Sequence, residues 1–71
     1  MKVTYDADVD ALQIVFNDGP VEESDESKPG VILDYSKDGK IIGMEILNAS
    51  QMTKDPASVQ FAVNPSVKKA I

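Results

Sequence analysis

Apolar residues fall at every second position through two neighbouring stretches of the chain. In Val31 to Tyr35 they include Val31, Leu33 and Tyr35, and in Ile41 to Leu47 they include Ile42, Met44 and Ile46. Side chains on a strand alternate between faces with a period of two, so each set lies on one side of an extended segment. Asp38-Gly39 between them is a turn dipeptide, with Gly free and Asp tolerant of positive φ. A two-residue turn there pairs Tyr35 with Ile42, Leu33 with Met44 and Val31 with Ile46, which makes one face wholly apolar. A four-residue loop, Ser36 to Gly39, shifts the register but keeps the parity. A three-residue loop would set Val31 against Glu45, and the alternation argues against it. The other face carries Ile32, Asp34, Ile41, Gly43, Glu45 and Leu47, a mixture suited to partial exposure. Gly43 there marks a bulge or close backbone approach, or else a twist adjustment beneath Met52.

The same reading extends upstream. Lys2 to Tyr5 forms a first strand with Val3 and Tyr5 on one side, and Asp6 to Asp10 is an acidic turn. Ala11 to Phe16 is a second strand with Leu12, Ile14 and Phe16 facing the core. Asn17-Asp18-Gly19-Pro20 is expected to close a second hairpin. Val21 to Ser27, VEESDES, has the length of a strand and almost no apolar content, so it is a charged edge strand or an extended loop. Its acids would deter another sheet from adding there. Lys28-Pro29-Gly30 then turns the chain into the central hairpin.

Beyond the hairpin, Asn48 or Ser50 is placed to cap a short helix running towards Lys54. Val59, Phe61 and Val63 alternate as a last strand, with a helix capped by Asp55 and entered at Pro56 as the competing reading. Val67 to Ile71 is a loose tail with the means to dock weakly. The fold class is mainly β: one domain over residues 1–71, built on an antiparallel sheet of five to six strands with at most one short helix. Residues 1–50 hold the sheet; 51–71 hold the short helix or turn, the candidate last strand and the tail. Leu12, Ile14, Phe16, Leu33, Ile42, Met44 and Ile46 are the expected core, with Tyr5 and Phe61 the aromatics best placed to pack into it.

Length sharpens this picture. A chain of 71 residues removes only about 60% of its unfolded surface from water on folding. There is no cysteine to supply a disulfide or thiolate cage, so a sheet with one apolar face and no covering helix is expected to be completed by dimerisation. Twelve acids oppose seven lysines, with neither arginine nor histidine, for a net charge of −5. The lysines are scattered at 2, 28, 37, 40, 54, 68 and 69, which argues against nucleic acid as a partner. The start MKVTYDADVD lacks the apolar run of a signal peptide and no segment suits a bilayer, so a cytoplasmic location and no membrane partner are expected.

Candidate chemistry is sparse. Asp6, Asp8 and Asp10 echo the opening of a calcium loop, but Ala11 and Asn17 stand where such a loop needs its Gly and its bidentate acid. Asp34 and Glu45 share the non-core face, yet a flat face supplies no cleft to perturb them. No His or Cys is available as nucleophile or neutral-range base, and no GxSxG, SxxK or phosphate loop occurs. These absences argue against an enzyme; no catalytic, metal or cofactor-binding residue is assigned, and no cofactor is expected. Glu22, Glu23, Asp25 and Glu26 are the candidate partner contacts. A domain with no ligand and a weak metal-binding or enzymatic use of surface carboxylates stay open as alternatives.

The start MKVTYDADVDALQIVF, the acidic stretch after it and the central GVILDYSKDGKIIGMEILNAS together resemble a small prokaryotic family, Domain of Unknown Function 2283. The resemblance covers roughly residues 1–50, and the hairpin followed by Asn48-Ala49-Ser50 is its most specific part. Gln13 departs from the bulky residue usual there. The resemblance implies a cytoplasmic prokaryotic protein without catalytic residues to carry over. It also implies an antitoxin-like role, in which an acidic domain masks a small basic protein by charge complementarity and strand addition.

Overall fold

A computed structural model describes residues 1–65. The strands are β1 (Lys2–Asp6), β2 (Ala11–Val15), β3 (Glu23–Lys28), β4 (Val31–Tyr35) and β5 (Ile41–Leu47), followed by a single 3₁₀ turn, Ala49–Gln51. They form one antiparallel sheet in the order β1-β2-β5-β4-β3. The fold is therefore mainly β with no α-helix among the described residues.

The central hairpin reaches the expected pairing by an unexpected route. Leu33 faces Met44 and Val31 faces Ile46, as a two-residue turn would require. The loop nevertheless has three residues, Lys37-Asp38-Gly39, because the Ser36 N–H donates to the Lys40 carbonyl at 2.8 Å and the Gly39 N–H to Ser36 at 2.9 Å. Gly39 takes φ +81°, closing a type I turn with a left-handed residue. Left uncorrected, this loop would put Val31 opposite Glu45. A bulge corrects it: Tyr35 pairs with Ile41 but Asp34 with Gly43, so Ile42 is one residue extra on β5 and the parity returns. Alternation excludes a three-residue loop only when no bulge compensates for it, and here one does.

A second bulge lies on β3. Pro29-Gly30, with Gly30 at φ +82°, makes the two-residue turn between β3 and β4. The register then slips between Glu26 and Lys28, leaving Ser27 extra. Past it, Asp25 faces Leu33 and Glu23 faces Tyr35.

The segment after β2 does not close a hairpin. β2 pairs with β1 and β5, while β3 lies at the far edge beside β4, so residues 16–22 cross the end of β5 and β4 in a Greek-key connection. The apolar set on β2 is shared by its two real neighbours: Leu12 faces Tyr5 and Ile46, and Ile14 faces Val3 and Met44.

Registers place Val3, Tyr5, Leu12, Ile14, Val31, Leu33, Met44 and Ile46 on one face. Five of the seven expected core residues, Leu12, Ile14, Leu33, Met44 and Ile46, thus share a side, while Ile42 is the extra residue of the bulge and Phe16 lies past the end of β2; in the single chain this side is a surface more than an interior. Among the described residues only Ala11, Ile42 and Ala49 are buried hydrophobics, while Phe16 is 46% exposed. The stretch expected as a last strand or helix is neither: residues 58–65 have no regular structure, and Phe61 is 76% exposed. Without ladder hydrogen bonds, its alternation alone does not hold it to the sheet. The tail from Val67 to Ile71 lies outside the described residues.

Gly39 gives a direct test of the turn. Gly39→Ala meets no atom within 4 Å of its new Cβ but must hold φ +81°, at a cost of about 1–2 kcal/mol. For a domain of this size the thermal midpoint should fall by about 4–8 °C per kcal/mol. Gly19→Ala, with equally open space and no positive φ, should be neutral or slightly stabilising in the same melt.

Candidate functional site

Side-chain chemistry concentrates at the end of the sheet where the β1–β2 turn meets the 3₁₀ turn. The Asp8 N–H donates to Asp6 Oδ1 at 3.0 Å, folding the acidic segment back on itself. Asp10 closes it at φ +55°, a left-handed conformation that Asp tolerates better than most residues. Asn48, at φ +54°, reverses the chain leaving β5. It stands at the cap position of the 3₁₀ turn without a side-chain cap hydrogen bond. The two left-handed residues bring distant segments together, and the Ala49 N–H donates to the Asp10 carbonyl at 3.0 Å.

The Asp10 carboxylate sits between three donors. The Tyr5 hydroxyl donates to Oδ1 at 2.7 Å, the Ser50 N–H to Oδ1 at 3.0 Å and the Ser50 hydroxyl to Oδ2 at 2.6 Å. Hydrogen bonds from Ser50 and Tyr5 favour the ionised form and hold Asp10 below its ordinary 3.8, against a smaller opposing effect of burial. Tyr5 is pushed above its usual 10.0, first by its bond to Asp10, then by burial and the fields of Asp10, Asp55 and Asp6.

This arrangement is chemically quiet. Both hydroxyls give their protons to a carboxylate whose basicity is reduced, so Asp10 is a poor base for activating Ser50. The group acts as a clasp that ties β1, the acidic turn and the chain after β5 into one end of the sheet. Sequence reasoning misses it. Spacing groups Asp10 with Asp6 and Asp8 and makes Ser50 a helix cap; no local pattern indicates a bond across 40 positions.

The remaining candidates are dispersed. Asp6 Oδ1 is taken by Asp8 and Asp10 by Tyr5 and Ser50, so the three aspartates do not converge on one point. Asp34 accepts from the Ser24 hydroxyl at 2.7 Å and leans over Gly43, whose absent Cβ would lie 3.4 Å from Oδ2 and 3.1 Å from the Ile14 carbonyl. Gly43 therefore admits close backbone approach beside the bulge; Met52 is 63% exposed. Glu45 shares Asp34's face opposite Ile32. Shallow depressions beside Phe16 and beside Met52 contain neither acid.

The four candidate partner contacts lie along the β3 edge but not on one face. Glu23 and Asp25 share the apolar side, opposite Tyr35 and Leu33, and Glu26 takes the other, opposite Ile32. Glu26 Oε2 also accepts the Gly30 N–H at 2.9 Å, and the Glu22 N–H extends the ladder to Tyr35.

The clasp predicts a pH signature. A carboxylate with a lowered folded pKa contributes stability above its unfolded value, and that contribution is lost as pH falls through the folded one. Urea midpoints should therefore drop on acidification below about pH 4, and Asp10→Asn should flatten that limb. The Tyr5 effect has the opposite sense: present below its unfolded value near 10.0, lost as pH rises through the folded one. Tyr5→Phe should remove the alkaline loss specific to that phenol.

Comparison with known proteins adds one positive finding. A family model described as "Protein of unknown function (DUF2283)" matches residues 2–50. Searches of curated proteins and of solved structures each return no match. The match spans the sheet from β1 to β5 and ends at Ser50, the residue that closes the Asp10 clasp. Covering more than half of the chain, it establishes that the protein belongs to the DUF2283 family.

Proposed function

We propose that this protein is a non-catalytic interaction module that masks a small basic protein through the β3 edge, an antitoxin-like use of the sheet. The observation that supports it is the character of that edge. All six residues of β3 are exposed, and among the described residues no strand pairs with it on the side away from β4. An extended segment can add there through main-chain hydrogen bonds. Glu22, Glu23, Asp25 and Glu26 bias which segment does so: with a net charge of −5 the protein repels its own copies and acidic strands at this edge and attracts lysine- or arginine-rich ones.

The division of the acids between faces refines the contact. Glu23 and Asp25 reach cations standing on the apolar side of an added strand, whereas Glu26 reaches those on the other side. A basic strand with charges at successive positions fits better than one with charges on a single face. Neutral partners gain the backbone bonds without the charge pairing.

Capture from the native host, followed by titration with the recovered basic protein, tests the reading. Reversal of Glu22, Glu23, Asp25 and Glu26 to lysine should weaken binding by at least about fourfold, since exposed pairs contribute roughly 0.2–1 kcal/mol each. Added salt should weaken the wild-type complex in the same direction. A complex indifferent to both changes would refute the edge as its contact.

A further inference from the structure

The apolar side of the sheet is built as an interior, yet in the single chain it stays partly exposed. Leu12, Ile14, Val31, Leu33, Met44 and Ile46 form a continuous patch across the three middle strands β2, β5 and β4, yet all remain partly exposed. The total accessible surface is 5873 Å². A compact folded monomer of 7.7 kDa exposes about 4,300 Å². The excess, about 1,600 Å², is shared between this face and the extended segment after the sheet, and half of it equals the roughly 800 Å² per partner that a stable interface requires.

The described chain after the sheet does not close this face. Val59, Phe61 and Val63 stand 62%, 76% and 72% exposed. One added strap covers about 5 Å of sheet width, whereas five strands span about 24 Å. A cover of matching size must itself be a sheet-sized apolar face, and the same face of another copy has the matching outline, length and pattern.

We infer that two copies of this chain stack through this face, giving a two-layer sandwich with the sheets about 10 Å apart. Charge selects between the two ways a two-fold axis can relate them. With the axis across the strands, β3 would lie over its own copy and set Glu23 and Asp25 against the same acids. With the axis along β5, β3 of one protomer lies over β1 of its partner, where Val3 and Tyr5 face inward. The second arrangement avoids the like-charge contact and leaves the acids at the rim. Met44, on the middle strand, sits at the axis.

The test uses the unmodified protein. Sedimentation equilibrium should give twice 7.7 kDa at micromolar concentration. An equimolar mixture of isotope-labelled and unlabelled chains should show methyl contacts between copies from Met44 to Met44 and from Ile14 to Leu33. Salt should tighten this assembly by screening the net −5 of each copy, opposite in sign to its effect on a basic partner, so the two proposals fail separately. A monomer mass throughout, contacts of Phe61 with Leu33 within one chain, or inter-copy contacts confined to the β3 edge would each overturn the sandwich.

Discussion

Parity is the constraint on which this sheet depends. Each strand contributes apolar side chains at alternate positions, and a slip of one residue would turn that strand's set to the opposite side. The three-residue loop at Lys37-Asp38-Gly39 carries such a slip, whereas the two-residue turn at Pro29-Gly30 keeps parity. The slip is cancelled within a few residues by the bulge at Ile42, while the bulge at Ser27 turns Glu23 and Asp25 to the apolar side of the sheet. The Ile42 bulge is also held from the other side, because the Ile42 carbonyl accepts both the Phe16 and the Asn17 N–H, at 2.9 and 3.2 Å. Ile42 is correspondingly one of the few buried hydrophobics among the described residues.

The alternation made the face legible before the structure did. Leu12, Ile14, Leu33, Met44 and Ile46 could be assigned to one side from period alone, and the register agrees. The turn could not be read the same way, since a loop and a bulge that cancel leave no trace in the pattern. Strand order was obscured for a related reason. Asn17-Asp18-Gly19-Pro20 has the composition of a turn, but composition does not distinguish a reversal onto the next strand from a link that crosses two others. Val59, Phe61 and Val63 show the converse: strand periodicity without a strand.

The candidate site was less legible than the fold. The acidic edge at β3 is visible in VEESDES because a run so poor in apolar residues has nowhere to go but water. The clasp at Asp10 depends on two left-handed residues, Asp10 and Asn48, whose effect is to aim side chains far apart in sequence at one another. The family match ends at Ser50, and residues 52–65 add no further strand.

Strand order also determines when this sheet can exist during synthesis. β1 and β2 form one hairpin and β3 and β4 another, but the sheet joins them through β5, which among the described residues is the last strand to emerge. Until residue 47 is free, each hairpin is a two-stranded ribbon, marginal in water by itself. The inner edges of β2 and β4 then display the unpaired backbone that β5 later satisfies on both sides. The nascent chain is thus most open to mispairing just before its central strand arrives, when the apolar residues of both hairpins are already outside the ribosome.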